Sequence, residues 1–178
     1  KCDGGGGTPS HLHSLTFSGL HFYAHTRDTD GQFFSGKSGS PGVQWLRHAT
    51  DVTFDDCLIQ SYHNGLNVQN YDRTGITRFV VSRCVIIDSY SGSGSHSQGI
   101  YASGVDGLVI EDCVFDKNGW NDKADAPPTI FNHNIYLQHD NGLDVIVRRN
   151  IICRGSSHGI QMRSGGLCEG NFFYRNPI

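Results

Sequence analysis

Apolar residues in this chain fall in short alternating runs, not in helical stripes. One phrase returns along its length: LTFSGLHF (15–22), VTFDDCLI (52–59), FVVSRCVI (79–86), LVIEDCVF (108–115) and VIVRRNII (145–152). A degenerate copy, LCEGNFF, covers 167–173. Each copy alternates apolar and polar positions, the period of a strand whose side chains point to opposite faces. Two polar residues follow, then a small one, then two apolar ones. A second phrase comes after: HNGLNVQN (63–70), SQGIYASG (97–104), HNIYLQHD (133–140) and SHGIQMRS (157–164), with PGVQWLRH (41–48) as an earlier copy. The two phrases predict two short strands per period, and the irregular excess of each period lies in polar loops.

Strand phrases repeating at uneven spacing fit a solenoid of stacked coils better than a sandwich or a barrel. The expected fold is all-β, a parallel β-helix of about six to seven coils spaced about 4.8 Å apart. It covers 12–178, after a flexible entry at 1–11 that contains GGGG. Period two then places Leu66, Ile100, Ile135 and Ile160 in one inward ladder, and Val68, Ala102, Leu137 and Met162 in another. Cys57, Cys84 and Cys113 share one repeat position, which Gly19, Asn150 and Asn171 are expected to take in other coils. Six cysteines invite a disulfide reading. Like residues stacked in consecutive parallel coils are badly aimed for one, so the three ladder cysteines are expected to be buried thiols. Cys2, Cys153 and Cys168 fall outside that argument.

Composition changes the picture only at its edges. Twenty-three glycines, with many Asn, Ser and Asp, are turn chemistry. A formal charge of -3 with 17% charged residues gives no footprint for nucleic acid. No apolar run is long enough for a membrane span. The chain opens at Lys1 without Met, and YRNPI carries no capping helix, which fits a segment of a longer chain.

The outward positions of the second phrase form columns: Asn67, Tyr101, Tyr136 and Gln161; Gln69, Ser103, Gln138 and Arg163; and Asn64, Gln98, His133 and His158. The long loops at 23–42, 88–97 and 116–132 all leave between the phrases, so they should emerge beside these columns. A sheet of Tyr, His, Gln, Asn and Arg walled by loops suits a linear polar polymer. Tyr offers a ring face and a hydroxyl, the amides pair with hydroxyls, and Arg holds a carboxylate bidentately. Trp120 is expected to stack on sugar, whereas Trp45 is expected to pack in the wall.

The repeated phrases and the Cys/Asn ladder resemble the right-handed parallel β-helix proteins of the pectate-lyase-like superfamily, over nearly the whole chain. That resemblance implies a secreted or cell-surface protein acting on polysaccharide, most simply a lyase that cleaves a uronate-containing polymer by β-elimination. Arg163 would neutralise the uronate carboxylate, His133 or His158 would take the C5 proton, and Tyr136 or Tyr101 would protonate the leaving oxygen. Asn67, Gln69, Tyr101, Trp120, Gln138 and Gln161 would bind substrate. RGSSHGIQMRSGG (154–166) is also similar to the GHG strand of polygalacturonases, but Asn132, His133 and Asn134 stand one coil earlier, where acids would be needed. Two-carboxylate hydrolysis is therefore disfavoured.

Lyases of this superfamily commonly hold calcium with carboxylates, which keeps calcium open as a cofactor, yet no acidic cluster lies on the second-phrase strands. The DTDG at 28–31 lacks the rest of an EF-hand loop. The histidine pairs His11 and His13, and His133 and His139, have no partner at zinc spacing, so no metal ligand is assigned. The alternative reading is a non-catalytic β-helix that binds glycan or forms part of a surface protein.

Overall fold

The computed structural model describes residues 12–70 and 75–177. The glycine-rich entry, with Cys2 and His11, lies outside the described residues. The rest winds through three parallel sheets of six, six and five strands, stacked coil on coil. The first sheet contains Leu12–Ser18, Ala49–Asp55, Ile76–Ser82, Val105–Glu111, Ile146–Arg148 and Leu167–Glu169. The second holds His21–Tyr23, Leu58–Gln60, Val85–Ile87, Val114–Asp116, Ile151–Cys153 and Phe172–Tyr174. The third is made of Val43–Trp45, Leu66–Gln69, Gln98–Ser103, His133–Leu137 and Ile160–Met162.

Each coil but the last, which shows two strands among the described residues, thus has three where the phrases predict two. The first phrase bends sharply in its middle, because the residue before the small position is left-handed: Asp56 (φ 52), Arg83 (51), Asp112 (55) and Arg149 (55). A left-handed residue cannot continue a strand, so one phrase supplies two sheets. This turn also corrects the place of Gly19. The register Ser18↔Asp55 and His21↔Leu58 aligns Gly19 (φ 65) with Asp56, so Leu20 is the partner of Cys57.

The corner ladder is otherwise as expected. Cys57 Sγ donates to the Phe17 carbonyl of the preceding coil at 3.4 Å, and Cys84 and Cys113 reach Phe54 and Val81 at 3.5 Å each. Asn150 and Asn171 replace the thiols with better donors, reaching Ile110 at 3.0 Å and Val147 at 2.8 Å. Their Oδ1 atoms accept from the Cys113 and Asn150 amides at 2.9 and 3.0 Å. All five described cysteines are free thiols.

Inside the coils, both expected ladders of the third sheet hold, with Leu66↔Ile100↔Ile135↔Ile160 and Val68↔Ala102↔Leu137↔Met162 in register. Trp45 pairs with Val68, lies in the core and meets Phe79 edge-on at 6.1 Å. Burying such side chains contributes about 1.5–3 kcal/mol each. A second asparagine ladder was not foreseen. It sits where the second sheet turns toward the third: Asn118 accepts from the Ser89 amide and donates to Ile86, and Asn176 repeats the pattern with Gly155 and Ile152. Asn134, fully buried, bridges the two by pairing with both side chains.

The long loops do emerge between the second and third sheets, and they knit together. Arg27 is 3% exposed and donates to the carbonyls of Ser61, Lys37 and Tyr90. Tyr90 returns a hydrogen bond to the Arg27 carbonyl at 2.7 Å, with the guanidinium 4.1 Å from its ring centre. Lys123 pairs with Asp30 and Lys37 with Asp125, joining the first and third loops. Charge pairing thus holds one wall beside the third sheet.

Candidate functional site

The outward face of the third sheet collects the residues singled out from the sequence. Parallel register puts Asn67, Tyr101, Tyr136 and Gln161 side by side. Gln69 faces Ser103, and the amides of Gln138 and Arg163 bond to Ala102 and Leu137, which extends that column down the same face. Two adjoining depressions result. Asn64, Asn67, Gln69, Gln98 and Tyr101 line one, and Ile130, Phe131, His133, Tyr136, His158 and Gln161 line the other. His96 belongs to both and stacks on Phe131 at 5.5 Å, so this pair forms the ridge between them.

The aromatic centre is a chain of ring contacts. Tyr101 and Tyr136 meet edge-on at 5.4 Å, His133 lies 5.1 Å from Tyr136, and His158 lies 5.1 Å from His133. Arg163 reaches back over the strand and donates to the Tyr136 hydroxyl and the Gln138 amide oxygen, both at 3.1 Å. A cation, a phenol and two imidazoles therefore sit in sequence along one short stretch of wall.

His133 is the most constrained member. It is 2% exposed, and its backbone amide donates to Gln98 Oε1 at 2.6 Å. Its Nδ1 lies 3.0 Å from Ser157 Oγ, whose own proton goes to the Asn132 carbonyl at 2.8 Å. That leaves the Ser157 oxygen to accept, so Nδ1 carries the ring proton. Burial, with the neighbouring His158 and His96, pulls the His133 pKa down to about 4. The ring is neutral at neutral pH. His158 is half-buried and open to the depression.

Trp120 stands apart from the other candidates. Its Nε1 donates to the Arg154 carbonyl at 2.8 Å, and the ring borders a separate hollow with Pro128, Arg154, Arg175 and Pro177. The loop strand that carries Pro128 on one side and Ile130 on the other divides that hollow from the groove. Sequence reading passed over Ser157, His96, Ile130 and Phe131. The first was readable as the residue before the SHG histidine; the others lie in loops whose course the repeat does not encode.

The carboxylates of the turns lie elsewhere and are matched by arginine. Asp55 pairs with Arg83, Glu111 with Arg148 and Arg149, Asp112 with Arg149, and Asp116 with Arg154. Among the described residues, no group of three or more His, Cys, Asp or Glu side chains could hold a metal ion. Among the same residues, no helix is long and apolar enough to cross a membrane.

Three stacked parallel sheets with ladders at their corners define a β-helix. A family model described as the right handed beta helix region matches residues 14–178, and the chain belongs to that family. Its coils are therefore right-handed. No curated protein and no solved structure matched the chain.

Proposed function

We propose that this β-helix binds a linear uronate-containing polysaccharide along its third sheet and cleaves it by β-elimination. The observation that carries this reading is the contiguous set Arg163, Tyr136, His133 and His158, with Gln138 beside the cation. Elimination needs a partner for the carboxylate, a base for the C5 proton and an acid for the leaving oxygen. Arg163 and Gln138 hold the carboxylate, which makes the C5 proton more acidic. His158, the accessible imidazole, takes that proton. The C4–O bond breaks as the C4=C5 double bond forms, and the Tyr136 hydroxyl gives its proton to the departing oxygen. His133, neutral and fixed by Ser157, keeps the floor beside His158 uncharged. Asn67, Gln69, Tyr101 and Gln161 extend the groove for neighbouring sugars, and Trp120 is left out of it. The resemblance to pectate-lyase-like proteins agrees with this reading, which implies an extracellular or cell-surface location, where such polymers lie.

A second reading is a glycan-binding β-helix without catalysis. It is favoured by the burial and low proton affinity of His133, which take one of the two paired imidazoles out of the proton transfer. The deciding experiment incubates the protein with a panel of uronate polysaccharides and follows ultraviolet absorbance beside reducing ends. Absorbance rising with reducing ends, lost in Tyr136→Phe and His158→Ala, establishes the lyase. Reducing ends without absorbance mean hydrolysis and overturn it. Binding with neither signal selects the second reading.

A further inference from the structure

Beside the polar centre of the groove stand two exposed apolar side chains, Ile130 (62% exposed) and Phe131 (56%). Exposure of this kind on a loop is usually unremarkable, but here the backbone beneath is clamped. The Thr129 amide donates to Ser156 Oγ at 2.6 Å, and that hydroxyl donates back to the Thr129 carbonyl at 2.9 Å. Gln98 Nε2 donates to the Phe131 carbonyl at 2.9 Å. Two prolines precede the segment at 127–128, which stiffens it further. His96 stacks flat on Phe131 and fixes the ring. A held apolar shelf therefore forms one edge of the depression lined by His133, Tyr136, His158 and Gln161. The cation, Arg163, stands on the opposite side, beyond the Tyr136 hydroxyl.

This opposition has a chemical counterpart. In a uronate ring the C5 carboxylate projects from one edge, and substituents on C2 and C3 project from the other. With the carboxylate on Arg163, the far edge of the bound sugar, or of its neighbour, faces Ile130 and Phe131. Bare hydroxyls there would lose water without finding a partner. A small apolar group that still carries one hydrogen-bonding oxygen would satisfy both the shelf and the Gln161 amide. We infer that the shelf of Ile130 and Phe131 receives an acetyl group carried by the polymer, so that the substrate class is an acetylated uronate polysaccharide. The acetyl comes either as an O-acetyl on the uronate or as an N-acetyl on an adjacent amino sugar. This inference rests on the groove being the polysaccharide site proposed above.

The test is calorimetric binding of the full 178-residue chain to matched polymers. One pair is an O-acetylated polyuronate and its alkali-deacetylated form. The other is a polymer alternating uronate with an N-acetylated amino sugar, and its N-deacetylated, re-N-formylated counterpart, which keeps the charge and the carbonyl and loses only the methyl. Tighter binding of the acetylated member of either pair, by about fourfold for each methyl buried, supports the inference and identifies the source. Phe131→Ala with Ile130→Ser should abolish that preference, bringing the two members of the pair to equal affinity. Both sites are exposed, so the variant should keep the parent's melting temperature. Equal affinity within both pairs, or a preference that survives the double substitution, overturns the shelf while the groove stands. Absence of binding to every polymer overturns the groove reading itself and takes the shelf with it.

Discussion

The corner between the first two sheets and the outward face of the third are cut from the same repeat and follow opposite rules. At the corner, Cys57, Cys84, Cys113, Asn150 and Asn171 each repeat one hydrogen bond to the coil before, and no loop intervenes. On the third sheet the outward set changes from coil to coil, with Tyr repeated only once at its position: Asn67 and Gln69 give way to Tyr101, then His133 and Tyr136, then His158 and Arg163. The corner is where any departure leaves a buried backbone group unpaired, so variation there costs stability. On the outward face a side chain answers only to solvent and to its immediate neighbours, so variation is free to carry chemistry. Repetition marks what holds the solenoid up, and its absence marks what it does.

The sharpest way to break that contrast is to change one group on each side. Tyr136→Phe removes only a hydroxyl from a half-buried ring. If Tyr136 is the acid, turnover should fall by about 10²–10³-fold, with unfolding free energy within about 0.5 kcal/mol of the parent. Single-turnover assays beside urea titrations would show it, and an unchanged rate would remove Tyr136 from the chemistry. Asn150→Leu should do the reverse. It leaves the Ile110 carbonyl and the Cys113 amide buried without partners, for a loss of about 3 kcal/mol, while the specific activity of the folded fraction stays the same. Asn150→Cys, the corner's own alternative, should recover only part of that loss, because the thiol is the weaker donor. Full recovery would mean that thiol and amide are equivalent rungs.

How far the sequence foretells each region follows from the same contrast. The inward ladders and outward columns were legible because a side-chain period of two admits only one parity once a single face is buried. The third strand of each coil was not, because the left-handed residues that make the corner are Asp and Arg in most coils: Asp visits that conformation but also serves many other turns, and Arg has no preference for it. Gly19 looked like a ladder rung for the same reason, being small, while its real task is to turn the chain. The loop wall was least legible. Arg27 meets Tyr90 across an interval unrelated to the repeat, and Trp120 turned toward Arg154 instead of the groove. Contacts of this kind depend on the path of each loop, which no periodicity records. The cluster of Tyr101, Tyr136, His133, His158 and Arg163 came together because all five lie on strands or within two residues of a strand's end.

His133 lies between the two regions, buried like the corner yet lining the groove, and pH separates its roles. Its folded pKa is lowered to about 4 from an ordinary 6.5, so the unfolded chain takes up the proton first as pH falls. The stability this ring contributes is complete above about pH 6.5 and is lost as pH falls toward 4. The loss should be about 2 kcal/mol, less than the full shift implies because one edge of the ring borders the open groove. Denaturant titrations across that window should show the slope in the parent and a flatter line in His133→Gln. A parent with no slope would mean that the imidazole is solvated, and His133 would then become a second candidate for the base.

The smallest effect expected lies within the corner itself. Burial raises the Cys57 thiol, and the hydrogen bond with the Cys84 side chain together with burial raises that of Cys113 well above its ordinary range. These sulfurs act as compact apolar fillers whose bonds to the preceding coil are long, 3.4 and 3.5 Å. Cys84→Ala should therefore cost only about 1 kcal/mol, a fraction of the Asn150→Leu loss, because a thiol leaves little behind it unpaired. Alkylation of the native protein with iodoacetamide should modify the exposed Cys168 well before Cys57, Cys84 or Cys113. If Cys84→Ala instead matched Asn150→Leu, the sulfur bonds would be as strong as the amide ones. The corner would then be uniform in energy as well as in geometry, and the coils nearest the aromatic cluster would owe nothing extra to their asparagines.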